Sequence, residues 1–237
     1  MIRLLGLTFG GFAGIEPFNP GFAPGHPKMR VTVDTEAVPS IPDGELLEQL
    51  WGAFPALSRH ECRVAPTRTG AESPGEPAVV NGIRLLEAEA SANQAHLLEH
   101  LLLEMLSELE GVRRVSGVTC AYTEPPERND IFVECADPES GAWAALLGVE
   151  AMNAALAGEL LSPLYPDAVR CARVVDPRRS SALTAAGIGR TADLPRPRAA
   201  AALELLARVS VLEPEAYAMN LSGEPYYRFI RAGEARR

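Results

Sequence analysis

The sequence predicts an α+β fold: a mainly antiparallel sheet with two long helices packed on one face, plus an extra C-terminal helical segment. Three observations carry this. The stretches 93–110 and 139–158 have helical length and an apolar face, and each closes on a glycine, Gly111 and Gly158. Between them, "RVSGVTCAYTE" and "DIFVECAD" read as strands separated by the turn-like "PPERN". Strand patterns also precede the first long helix, and this order suits helices gathered on one face of a sheet.

In chain order, "MIRLLGLTF" is a first strand, and "GIEPFNPGFAPGHPK", crowded with Gly and Pro, is a loop. "MRVTVDT" alternates Val31 and Val33 with polar neighbours, the period of a half-buried strand. "IPDGELLEQLWGAF" is a short helix with Asp43 as its expected cap and Leu46, Leu47, Leu50 and Trp51 as its apolar face. "APTRTGAESPGEP" is a polar loop, and "AVVNGIRLLEAEA" a short strand or hairpin. After Pro163 the chain turns to Ala, Arg and Pro. There "DPRRSSALTAAGIGRTADLPRPR" reads as a mobile connection, "AAAALELLARVSVL" as a helix and "EPYYRFIRAG" as a closing strand. The expected organisation is one α+β domain over 1–160 and a C-terminal extension over 161–237.

Composition narrows the function classes. The chain has 237 residues and no run of apolar residues long enough to span a bilayer, so no membrane association is expected. The N-terminus lacks the pattern of a signal peptide. Four cysteines without a C-x-x-C suit reduced thiols in a cytoplasmic protein. A formal charge of −9 argues against nucleic-acid binding and favours cationic or zwitterionic partners. There is no G-x-x-x-x-G-K-[ST] phosphate loop and no G-x-S-x-G nucleophile elbow.

The chemistry concentrates in "AHLLEHLLLEMLSELEG", which holds two of the four histidines. On a helical wheel Leu98, Leu101, Leu102, Met105 and Leu109 form one apolar stripe. His96 and His100 fall together on the other side, about 40° apart and about 5–6 Å from one another. Glu99 flanks them. H-x-x-E-H is the inverted zinc-protease arrangement, in which the histidines hold Zn²⁺ and the glutamate is the general base. The competing reading is a solvated polar face with two titratable histidines.

A catalytic zinc needs a third protein ligand. Glu104 lies about 12 Å along the helix axis from His96, too far for that role. Glu150, on the second long helix beside Val149, Met152 and Leu156, and Glu134, in "IFVEC", are the candidates. For each, a surface or hydrogen-bonded carboxylate is the alternative. His26 reads as structural or exposed, and His60 as locally hydrogen bonded. Leu103, beside the histidines, calls for cover from a second copy of the chain or from the C-terminal segment.

The order of these pieces resembles the N-terminal domain of cyanophycin synthetase, over about residues 1–158. Pro55-Ala56-Leu57-Ser58-Arg59-His60-Glu61-Cys62 is similar to the family's "P-S-L-x-x-H-x-C", and "HLLEHLLLEMLSELEG" to its H-x-x-E-H helix. "IFVECADPESGAW" is similar to its "F-E-Y" strand and "G-R-Y" turn, which sets Glu134 on the family's glutamate and Trp143 on its tyrosine. The loop between Cys62 and His96 is longer than in the family, and "T-R-E-T" is only echoed at Tyr122-Thr123-Glu124. Residues after 160 are too few for the family's ATP-grasp and Mur-ligase-like domains, so synthesis is not expected. The resemblance implies a domain that docks a poly-aspartate chain bearing arginines, or a metal-dependent hydrolase of it. The expected function is therefore Zn²⁺-dependent cleavage of amide bonds in arginine-bearing or cyanophycin-like peptides. Its alternative is a non-catalytic binding or scaffold module partnering a separate synthetase. A homodimer is compatible with both.

Overall fold

Residues 28–35 alternate Met29, Val31 and Val33 with Arg30, Thr32 and Asp34, and that period of two decides which side of the sheet carries the core. The computed structural model describes residues 1–35, 41–64, 78–81, 83, 90–174, 183–209, 212–219 and 225–229. The three apolar residues are fully buried in it, and the polar set is partly open on the other face. The elements up to the second long helix are β1 (Ile2–Gly10), β2 (Lys28–Thr35), α1 (Asp43–Ala53), β3 (Glu61–Val64), β4 (Ala78–Asn81), α2 (Ala90–Glu110), β5 (Gly117–Ala121), β6 (Arg128–Glu134) and α3 (Pro138–Leu156). After them come α4 (Leu164–Val174), β7 (Leu183–Thr184), α5 (Ala185–Thr191), α6 (Arg196–Arg208), β8 (Leu212–Met219) and β9 (Pro225–Phe229). Short 3-10 turns occupy Ala13–Phe18 and Pro55–Arg59.

The main sheet has the order β1-β2-β6-β5 with antiparallel neighbours throughout, as an α+β fold requires. Val31 lies opposite Ile131 and Met29 opposite Val133, so the core-facing residues of adjacent strands are in register. α2 packs on β5, β6 and β2, while α3 packs on β1, β2 and α2. Along α2, Leu97, Leu98, Leu101, Leu102, Met105 and Leu106 are fully buried. Burial contributes about 1.5–3 kcal/mol for each such side chain. Both long helices end where the sequence marks them, Gly111 and Gly158 taking φ of 67° and 78°.

Three local expectations change. Asp43 does not cap α1: Pro42 holds the N-cap position, and Asp43 Oδ2 instead accepts from Asn93 Nδ2 at 2.7 Å, tying α1 to α2. The stretch 176–198 is not simply a connection. It contains α5, whose Ala185 and Ile188 are buried, and Thr184 Oγ1 accepts from Gly187 N at 3.2 Å. The run after Pro163 also hides α4, because Pro166 sits in its first turn, where no intrahelical N–H is needed. Tyr165, Ala168, Val169, Cys171 and Ala172 of α4 join a core continuous with that of the main sheet. Asp167 then clamps α6 through two 2.7 Å bonds from Arg198. The loop over 65–77, the hairpin residues after Asn81 apart from Ile83, and the first part of 176–198 lie outside the described residues. Among the described residues no helix is long and apolar enough to cross a membrane.

Candidate functional site

The side of α2 that carries His96, Glu99 and His100 is covered rather than solvated. β5 is the edge strand next to it, and its core-facing positions Gly117 and Thr119 pair with Val133 and Ile131. The 3-10 turn Pro55–Arg59, anchored by fully buried Leu57, closes on the helix from another direction and ends at His60. Glu99 is 5 % exposed and His100 2 %. The reading of these residues as a solvated face therefore does not apply to Glu99 and His100. A cleft of about 760 Å³ remains, bordered by the two long-helix histidines, Glu99, His60, Glu104 and Thr119.

Within it the polar groups stand in chains of contacts. His60 Nδ1 is 3.2 Å from His100 Nδ1, and its Nε2 is 3.2 Å from Glu104 Oε2. The His96 and His100 rings meet edge-on with centroids 4.7 Å apart. Thr119 Oγ1 donates to Glu99 Oε2 at 2.6 Å, and His96 Nδ1 stands 3.8 Å from the same oxygen. Gly117 leaves room for that carboxylate: a Cβ there would come within 3.0 Å of Glu99 Oε1 and 3.1 Å of the Phe132 carbonyl.

Burial drives the His100 pKa down to about 3, with His96 and His60 adding to the fall and Glu99 opposing it. The ring is thus neutral at physiological pH. Its Nε2 is buried and has no hydrogen-bond partner among the described residues. Burial pushes the Glu99 carboxyl up, but the neighbouring His96 and His100 imidazoles and the Thr119 hydroxyl outweigh that effect and hold it below its ordinary value. Glu99 is a carboxylate at neutral pH.

The two expected third ligands are elsewhere. Glu134 accepts from Ala23 N at 2.6 Å and from Ser116 N at 3.1 Å, which staples the loop before β2 to the wall behind the cleft. Glu150 pairs with Arg208 at 3.0 Å and ties α3 to α6. Neither borders the cleft. His60, which helix geometry does not bring to the histidine pair, does, and so does Glu104, one turn beyond His100 on the same side of α2. Leu103 is half-buried in the cleft wall rather than facing open solvent. His26 contributes its carbonyl to Lys28 Nζ at 3.0 Å, a structural bond away from the cleft.

Three imidazoles and the Glu99 and Glu104 carboxylates border the cleft, residue types that can ligate a metal ion. Three donors do not converge, however: among the described residues no group of three His, Cys, Asp or Glu side chains stands ready to hold an ion. Holding one therefore requires rotation of side chains within the cleft. No protein-family model matches the chain, and no curated protein matches it.

Proposed function

We propose that the cleft is the centre of a metal-dependent amide hydrolase. The observation that carries this reading is the buried His100, neutral and with Nε2 unpartnered, beside two further imidazoles and a buried ionised glutamate. A buried ring nitrogen without a partner is costly in a merely structural site. His96 and His100, with His60 as the third donor in place of Glu134 or Glu150, would hold Zn²⁺. When bound, the ion would supply Lewis acidity to a water and to the scissile carbonyl. Thr119 holds the Glu99 carboxylate toward the histidines, so that it can take a proton from water and return it to the departing nitrogen. The resemblance to the N-terminal domain of cyanophycin synthetase supports a peptide as substrate and a cytoplasmic setting; the arginine-bearing side chains of that polymer are not matched by the charge at the cleft rim, where Arg59, Arg113 and Arg114 stand.

Glu99→Gln keeps an oxygen for the Thr119 bond and removes the base. Amide hydrolysis should fall by about 10²–10⁴-fold while metal affinity is unchanged. Turnover retained by that variant would remove Glu99 from the role. A non-catalytic binding module is the second reading, and the paired rather than convergent donors favour it. Wild-type protein loaded with zinc and inert toward every amide offered would support that module.

A further inference from the structure

We infer that the rim of this cleft recognises carboxylates, so that the ligand it takes is an acidic peptide. The inference names the substrate class of the proposed hydrolase; it rests on that reading for the fate of the peptide, but not for its capture.

Three guanidinium groups border the cleft: Arg59 at the end of the 3-10 turn, and Arg113 and Arg114 between α2 and β5. All three are exposed, and among the described residues no carboxylate pairs with them. Elsewhere five arginines are engaged, Arg3 and Arg128 on Asp34, Arg173 on Glu108, Arg198 on Asp167 and Arg208 on Glu150, whereas exposed Arg170 and Arg190 pair with no carboxylate among the described residues and stand singly, away from the cleft. In a chain of net charge −9, unpaired positive charge drawn to one cleft from two separate segments reverses the sign expected of a site that favours arginine side chains.

Exposed Glu61 also borders the cleft, so the rim carries three guanidinium groups against one carboxylate, and the floor is acidic. Glu99 and Glu104 lie among the imidazoles, and Glu99 is buried. A phosphate chain entering the cleft would meet these carboxylates. A peptide would present a neutral amide there and leave its carboxylates for the guanidinium groups, which can grip them bidentately. Phe18, 68 % exposed at the same cleft, and half-buried Leu103 add apolar surface for the aliphatic parts of such a chain.

The test is fluorescence anisotropy on the full chain, without added metal, using labelled hexa-aspartate, hexa-asparagine and a single-stranded hexanucleotide. Hexa-aspartate should bind, and binding should weaken about tenfold in the Arg59→Gln/Arg113→Gln/Arg114→Gln variant, three exposed charge pairs acting together. Rising salt should weaken it too. Because the arginines are exposed, the variant should keep the wild-type circular dichroism spectrum. Equal affinity for hexa-asparagine, equal affinity for the hexanucleotide, no binding at all, or unchanged affinity in the arginine variant would each overturn the inference. The hydrolase reading fails separately, through zinc-loaded wild-type protein that binds hexa-aspartate and cleaves no amide offered.

Discussion

Lys28 and His100 are buried almost equally, at 1 % and 2 % exposure, yet the fold treats them in opposite ways. Lys28 Nζ has its charge answered by Glu16 Oε1 and the His26 carbonyl, each at 3.0 Å, and it sits 5.1 Å from the centre of the Phe22 ring. Those contacts pin the Gly- and Pro-rich loop onto β2. His100 has one nitrogen against His60 and leaves the other without a partner among the described residues. A buried polar atom left without a partner costs about 1–3 kcal/mol, a cost that Trp51 Nε1 and Asn129 Oδ1 also carry. The loop anchor is closed by paired contacts, whereas the α2 cleft keeps one buried ring nitrogen without a partner among the described residues.

The largest expected effect on stability falls on the anchor. Lys28→Ala removes a fully buried stem and strands the His26 carbonyl, and should cost about 2–4 kcal/mol in urea unfolding. His100→Leu should change stability by less than about 1 kcal/mol in either direction, because an apolar side chain takes the place of an unsatisfied ring, while hydrolysis is lost. If the two variants lose equal stability, the contrast breaks and His100 is structural.

The smallest effect belongs to Asp34, whose hydrogen bonds from Arg128 and Arg3 hold its carboxyl below the ordinary value of 3.8. A depressed carboxyl contributes stability above its unfolded pKa and loses it as pH falls through the folded one. Asp34→Asn should therefore melt slightly below wild type at about pH 7, with the gap closing toward about pH 3. A gap that widens in acid would contradict that sign.

The same contrast explains what could be read from the sequence. β2, β5, β6, α2 and α3 were legible because the period of the apolar residues and the closing glycines are local signals. α4 was not, since Pro163 and Pro166 resemble a break until the first-turn position of Pro166 is known. In the site, the i,i+4 spacing put His96 and His100 together. It could not bring in His60, which reaches His100 across 40 residues through the packing of a 3-10 turn on α2. Nor could it foresee that β5 and this turn bury the side of the helix opposite the leucine stripe. Glu134 and Glu150 were credible ligands by topology, but backbone N–H groups and Arg208 engage them. Which carboxylate is already occupied depends on contacts that no local pattern encodes.

Metal content is the most direct measurement: inductively coupled plasma mass spectrometry of the purified chain, loaded with zinc and dialysed, beside His96→Ala/His100→Ala treated alike. The expected result is about one zinc ion per wild-type chain and almost none in the variant. No bound metal in the wild type, or equal metal in both, would contradict a metal centre on α2.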